Sequence, residues 1–292
     1  MEASFQKAVM DQIETLTGSA LTVEYLRLAS GGSINQTYSL LTNQGHFFLK
    51  FNQRDLYPKM FQLEKKGLEL LQNHSEFKLP KVVLTAEHKE YSYLLMEGID
   101  PAPMAENFWT LFGQRLAKMH QKSTSDYGLD SNNYIGSLPQ KNKWKRSWIE
   151  FFVQNRLQFQ EKLALDSQRI DRQTSTLLSV LYGKMERLFT PTRPSLLHGD
   201  LWSGNYMCGP DGHATIYDPA VYYGHREMDI AMTYLFGGFQ KEFYDAYQDE
   251  FPLDEGWEER IEICNLYPLL VHVNLFGASY ANRVKAILKR YA

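Results

Sequence analysis

The sequence predicts an α+β protein in two parts: a small antiparallel β-rich lobe with one crossing helix, then a larger, mainly helical lobe. Three observations carry that reading. Up to residue 97, short alternating runs are separated by turn signals. Asp100-Pro101-Ala102-Pro103 then forms a breaker cluster. Beyond it apolar residues recur at helical spacing, and no internal repeat or low-complexity tract competes with a two-lobe layout. The expected division is 1–98 and 99–292.

The elements can be justified in chain order. Residues 4–17 place Phe5, Val9, Ile13 and Leu16 on one helical face, and Gly18 stands where a left-handed cap ends a helix. Leu21, Val23 and Tyr25 alternate, Gly31-Gly32 interrupt, and 35–41 resumes the extended pattern. Asn43-Gln44-Gly45 signals a turn into the strand 47–51. Pro58 suits the first turn of a helix running to about Asn73. Strands at 82–86 and 91–97 flank a turn at His88-Lys89. Trp109, Phe112, Gly113, Leu116 and Met119 begin the helical lobe; Trp148, Phe152, Phe159 and Leu163, then Leu177, Leu181, Met185 and Leu188, continue it. Residues 195–218 read as short extended pieces around a loop, and helices return to the C-terminus.

The bulk properties exclude several classes. The 292 residues are 43% hydrophobic and 22% charged, with mean hydropathy −0.42, which fits neither a disordered chain nor a membrane protein. The most apolar stretch, 266–281, is broken by Pro268, His272 and Asn274 and falls short of the roughly 20 residues that cross a bilayer. A net charge of −3 offers no bulk attraction to nucleic acid or anionic lipid. The two cysteines, Cys208 and Cys264, make no disulfide framework and suit a reducing compartment. The first residues lack the layout of a signal peptide. The expectation is a soluble cytoplasmic protein.

The chemistry concentrates in His198-Gly199-Asp200-Leu201-Trp202-Ser203-Gly204-Asn205 and in Tyr217-Asp218-Pro219. An aspartate, an asparagine five residues on, and a second aspartate ending a short strand form the arrangement used in phosphoryl transfer. That reaction needs a carboxylate to orient the acceptor hydroxyl and take its proton. It also needs hard oxygen ligands for Mg²⁺. Asp200 is the expected base; Asn205 and Asp218 are the expected metal ligands. Upstream, Lys50 lies in an apolar strand and Glu64 fourteen residues later at the edge of a helix's buried stripe, the order of a phosphate-binding lysine and its glutamate. Gly32 is placed to cover phosphates with backbone N–H groups. Glu97 and Ile99 end the last strand at the inter-lobe hinge and are expected to offer backbone to adenine. Only ten residues separate Asp218 from Asp229, leaving no room for an activation loop, and Gly199 stands where regulated protein kinases carry arginine. Asp229 is expected to brace the catalytic loop.

These runs resemble the fructosamine kinase (ketosamine-3-kinase) family, within the aminoglycoside- and choline-kinase-like group. The resemblance extends to Tyr223-Gly224-His225-Arg226-Glu227-Met228-Asp229, to Asn133-Tyr134-Ile135-Gly136 with Pro139-Gln140, and to Leu235-Phe236-Gly237-Gly238-Phe239. It implies a protein-kinase-like two-lobed fold and ATP-dependent phosphorylation, with Mg²⁺, of the sugar in a free or protein-bound ketoamine. Phosphate at O3 makes that adduct labile and frees the amine, which is deglycation. By motif match the resemblance keeps Asp200 as base, Asn205 and Asp218 as magnesium ligands, and Lys50 with Glu64 as the phosphate-binding pair.

On the substrate side, Trp202 sits two residues from the base and is read either as an aromatic wall or as a core tryptophan. Tyr134 and Glu227 are further substrate candidates, as are His120, His225 and Arg226, though for each a structural role is the favoured reading. Two other functions stay open: a kinase for an aminoglycoside or choline-like alcohol, and an inactive kinase fold that binds nucleotide as a scaffold.

Overall fold

A computed structural model describes residues 1–29 and 35–292. The glycine-loop positions Gly31 and Gly32 lie outside the described residues.

Helix α1 (Ala3–Thr17) ends at Gly18, whose φ of +67° is the left-handed cap. Strands β1 (Val23–Leu28), β2 (Gln36–Thr42) and β3 (Gly45–Gln53) lead to helix α2 (Met60–His74). Strands β4 (Val82–His88) and β5 (Tyr91–Glu97) complete an antiparallel sheet in the order β1-β2-β3-β5-β4. Helix α2 starts at Met60, two residues later than Pro58 suggested. Lys59 occupies the left-handed region, φ +61°, and so separates Pro58 from the helix.

The pleat decides which side chains meet the site. In β3, Leu49 and Phe51 turn toward α1, where Phe5, Val9 and Ile13 pack on them with Tyr93 and Leu95 of β5. Lys50, between them, therefore projects from the opposite face. Leu94 and Met96 of β5 join Phe61, Leu68 and Leu71 of α2 on that second side, in a core shared with Phe108, Phe112, Leu116, Leu196 and Leu201. Residues 93–96 are apolar without alternation because both faces are covered.

Beyond β5 come α3 (Phe108–His120), a hairpin β6 (Asn133–Ile135) and β7 (Leu138–Gln140), then α4 (Trp148–Phe151) and α5 (Gln158–Asp166). A π-helical turn, Phe152–Leu157, joins the last two and interrupts the single helical period expected from Trp148 to Leu163. The wider turn rotates the faces of α5: Leu157, Gln160 and Ala164 are buried, while Phe159 and Leu163 are only half-buried. Helices α6 (Arg172–Tyr182) and α7 (Met185–Leu188) precede strand β8 (Ser195–Leu197), the hairpin β9 (Tyr206–Cys208) and β10 (Ala214–Ile216), and strand β11 (Tyr222–Gly224), which pairs with β8. Helices α8 (Glu227–Leu235), α9 (Lys241–Glu250), α10 (Trp257–Cys264), α11 (Leu266–Phe276) and α12 (Ala281–Tyr291) finish the chain. Helix α8 begins at Glu227, so Asp229 lies inside its first turn rather than at its start. Among the described residues no helix is long and apolar enough to cross a membrane.

Candidate active site

Pairing of β8 with β11 brings two loops side by side, 198–205 and 217–221. Three hydrogen bonds lock them together. The Ala220 N–H donates to His198 O at 2.9 Å, the Tyr217 N–H donates to Asn205 O at 3.0 Å, and His198 Nε2 donates to Tyr217 O at 3.0 Å. Burial holds the His198 imidazole below its ordinary pKa, consistent with a neutral ring using one N–H as a strut. Gly199, at φ +82°, is required twice over. The backbone is left-handed there, and an added Cβ would lie 2.1 Å from Ala220 O. No arginine fits that position.

From below, Asp229 accepts the N–H groups of His198 (2.7 Å) and Gly199 (2.9 Å). His120 Nε2 lies 3.2 Å from the same carboxylate, and its Nδ1 is 2.8 Å from the Tyr247 hydroxyl. Asp229 thus braces the 198–205 loop through its backbone.

The polar side chains converge above this base. Asn205 Nδ2 donates to Asp200 O at 2.7 Å and to Asp200 Oδ2 at 2.9 Å. Lys50 Nζ donates to Glu64 Oε1 at 2.7 Å and to Asp218 Oδ1. All five residues line one cleft of about 170 Å³, together with Asn35, Thr37, Asn133, Tyr134 and Trp202. Burial opposes the Lys50 charge, but the Asp218 and Glu64 carboxylates more than offset it and hold the ammonium above its ordinary range. For Asp200, burial is the main effect; the Asp218 and Asp229 charges add to it and the Asn205 amide opposes it, leaving the carboxyl pushed up to about 7. Asp218 sits at φ +56°, a conformation that costs a non-glycine residue about 1 kcal/mol or more and persists only where neighbours enforce it.

The remaining candidates separate cleanly. Trp202 lines the cleft half-buried, edge-on to Phe236 at 5.3 Å, with its ring over Gly204, where a Cβ would meet it at 2.3 Å. Tyr134 lines the cleft and donates its hydroxyl to Pro58 O at 3.1 Å. Glu227 does not reach the cleft: it is 2% exposed and bound at both oxygens by Arg260, at 2.7 and 2.8 Å. His120 and His225 are 1% exposed, and Arg226 is spent on the carbonyls of Phe251 and Pro252. Glu227 is thereby corrected to an internal role, and His120, His225 and Arg226 have the structural roles favoured for them, because their polar atoms already have partners or are sealed from solvent. Glu97 and Ile99 do not line this cleft. The Glu97 N–H is taken by Lys81 O and the Gly98 N–H by His46 O, whereas the Ile99 N–H has no acceptor among the described residues.

The match of the whole chain decides the family. The fructosamine kinase family model covers residues 5–292. This chain belongs to that family. A protein of Enterococcus faecium provisionally named a ketoamine kinase is 40% identical over 264 residues, 89% of this chain and 93% of its own length. A chloroplastic protein-ribulosamine 3-kinase of Arabidopsis thaliana is 37% identical over 280 residues, 94% of this chain and 84% of its own. A solved structure from Haemophilus somnus with a provisional fructosamine-3-kinase name superposes with a TM-score of 0.87 at 28% identity, covering 97% of this chain and 96% of that one. An aminoglycoside phosphotransferase, solved with AMP-PNP and hygromycin B, reaches a TM-score of 0.63 at 15% identity over 98% of this chain and 99% of that one. That last likeness establishes the protein-kinase-like fold.

Sequence reasoning missed Asn35 and Thr37 as cleft residues. Thr37 was accessible to it, since in a β2–β3 hairpin the register pairs it directly with Lys50. Asn35 is held by Asn52, whose Nδ2 donates to Asn35 Oδ1 at 2.8 Å, and no local signal marks that contact.

Proposed function

We propose that this protein transfers the terminal phosphoryl group of ATP to a sugar hydroxyl of a ketoamine, with Asp200 as base. The observation that carries the reading is that the Lys50–Glu64–Asp218 ion cluster and the Asp200–Asn205 pair face one cleft. Asp200 would orient the acceptor hydroxyl and accept its proton. A carboxyl held near pH 7 is matched to that task, since it is basic enough to take a proton and acidic enough to return it. Lys50 carries a fixed positive charge toward the phosphates, and Glu64 keeps its chain from swinging away.

The donor set suits Mg²⁺. Asp218 supplies a carboxylate, and the Asn205 amide, with its nitrogen turned to Asp200, leaves an Oδ1 that accepts no hydrogen bond among the described residues. Both are hard oxygens, and a bound divalent ion would screen phosphate charge at that point. Among the described residues no cluster of three or more His, Cys, Asp or Glu side chains forms a self-sufficient metal cage. That fits an ion shared with a nucleotide. Glu97 and Ile99 are assigned to adenine, on an Ile99 N–H that has no acceptor among the described residues, with the lobes divided at residue 98. Trp202 and Tyr134 are assigned to the acceptor's walls, and phosphate at O3 would release the amine. The two buried free cysteines accord with a cytoplasmic setting.

An acceptor panel tests the reading. With Mg²⁺ and ATP, purified protein is expected to phosphorylate fructose- or ribulose-derived amines, free or on a peptide lysine, in preference to aminoglycosides and choline. Preference for an aminoglycoside would overturn the assignment of substrate; absence of any Mg²⁺–ATP-dependent thermal stabilisation would overturn the kinase reading itself.

A further inference from the structure

The hairpin of β6 and β7 carries a second role. Asn133 and Gln140 face each other across its open end in the strand register, and both are buried, at 7% and 1% exposure. Every amide oxygen and nitrogen of the pair has a partner. Gln140 Nε2 donates to Asn133 Oδ1 at 2.8 Å and to Ala220 O at 3.0 Å, while Gln140 Oε1 accepts the Tyr267 hydroxyl at 2.7 Å. Asn133 Nδ2 donates to Val221 O at 2.9 Å, and its Oδ1 also accepts from Asn142 Nδ2 at 2.8 Å. Asn142 in turn accepts from Arg156 Nη2 at 2.8 Å. Arg156 is fully buried in the π-helical turn, its guanidinium 4.0 Å from the Tyr222 ring centre and 4.5 Å from that of Phe151.

These bonds end on two carbonyls, and the carbonyls belong to the segment that immediately follows Asp218. The same Ala220 oxygen is the atom packed against Gly199 of the base loop. From the next residue of β6, whose side chain leaves the other face of the strand, the hairpin reaches the other lobe: Tyr134 donates to Pro58 O, just ahead of α2, the helix that carries Glu64. Neighbouring residues of one strand therefore hold the Asp218 segment through Asn133 and the front of α2 through Tyr134.

We infer that Asn133 and Gln140 are positioning residues for Asp218, and that Tyr134 ties this clamp to α2 so that the Lys50–Glu64–Asp218 cluster stands assembled without an activation segment. The physical need is specific. Asp218 is held in a left-handed conformation, and such a backbone persists only where contacts over-determine it. A buried network in which the oxygen and nitrogen of each amide (Asn133, Gln140, Asn142) are bonded supplies rigid anchors at residues 220 and 221. The inference rests on Asp218 acting at the metal but not on the identity of the acceptor.

The test uses Asn133→Asp, which keeps shape and the accepting Oδ1 but replaces the donor to Val221 O with a second acceptor, and Tyr134→Phe, which removes the tether. Thermal melting is recorded with the non-hydrolysable analogue AMP-PNP, without and with Mg²⁺, alongside kinetics against Mg²⁺ and against a fructose-derived amine. For Asn133→Asp we expect the analogue alone to stabilise as in the wild type, the additional shift from Mg²⁺ to be lost, and kcat to fall at least tenfold with KM for the amine within twofold. For Tyr134→Phe we expect a several-fold rise in the Mg²⁺ concentration at half-maximal rate, whatever the acceptor wall does to KM for the amine. An Asn133→Asp protein with the wild-type Mg²⁺ increment and kcat would overturn the inference. Should that variant fail to fold, Tyr134→Phe decides alone. Unchanged Mg²⁺ dependence, or a change confined to KM for the amine, would make the hairpin a scaffold with an acceptor contact and no clamp. A wild type that shows the Mg²⁺ increment yet phosphorylates no ketoamine would fail the substrate reading while leaving this test intact.

Discussion

Lys50 and Arg260 are both buried cations held by carboxylates, but only Lys50 is held by two. Arg260 and Glu227 form a one-to-one bidentate pair, with side chains 7% and 3% exposed, and Arg260 further donates to the carbonyls of Asp254 and Glu255. The charges cancel, the donors are satisfied, and nothing opens to solvent. Lys50, 8% exposed, meets Glu64 and Asp218, and the Asp218 side chain is 44% exposed into the cleft. Two carboxylates against one ammonium leave a net negative charge at an open mouth, where a divalent cation and polyphosphate would complete it. The lesson is that buried charge alone does not mark a catalytic site. A buried cluster with an uncancelled charge facing a cavity does.

That contrast is breakable in order of expected effect. Lys50→Met leaves Glu64 and Asp218 repelling each other and removes the charge we propose faces phosphate. Steady-state kinetics is expected to show kcat/KM reduced by about 10²–10³. A loss under tenfold would erase the distinction between the two clusters. Arg260→Met strands a buried carboxylate instead. Denaturant unfolding is expected to show a loss of about 3–5 kcal/mol, with kcat of the folded protein within twofold of wild type. Removing both partners, Arg260→Met with Glu227→Leu, is expected to recover much of that stability, because the unpaired charge goes with its partner. A large kcat defect in either would return Glu227 to the active site.

The smallest effect is in pH. Burial, then Arg260 and Arg226, hold His225 down at about 3, with Glu227 Oε2 the facing carboxylate at 3.9 Å. Above about pH 6.5 the ring is neutral in both folded and unfolded chains. Below it the unfolded chain takes up a proton that the folded protein refuses until about pH 3, so stability falls as pH drops through that window. Burial depresses His120 and His198 in the same direction. Unfolding free energies at pH 7.5 and 5.5 are expected to show this loss, and His225→Gln to reduce its slope; an unaltered slope would remove His225 as a contributor.

Legibility in the sequence divides along the same contrast. The cleft residues were readable because the chemistry dictates residue types at short, ordered spacings: Asp200 to Asn205, and Lys50 to Glu64 on a strand and the next helix. The two-part α+β architecture was readable from periodicity. Glu227 was not, since a glutamate between arginine and methionine is ambiguous until a guanidinium 33 residues away is seen to close on it. The hairpin was harder still. Its motif was visible, but its partners are backbone carbonyls 80 and 88 residues distant, which carry no side-chain signature. The π-helical turn escaped for a related reason: one extra residue per turn looks in sequence like an ordinary apolar period.

Replacing Asp200 by asparagine tests the central claim most directly, because it removes the proposed proton acceptor while keeping size and hydrogen-bonding reach. With a fructose-derived amine as acceptor, the rate of phosphoryl transfer at saturating ATP is expected to fall by about 10²–10⁴ while Mg²⁺–AMP-PNP still stabilises the folded protein. Turnover within tenfold of wild type in that variant would contradict the account, whatever the remaining residues of the cleft do.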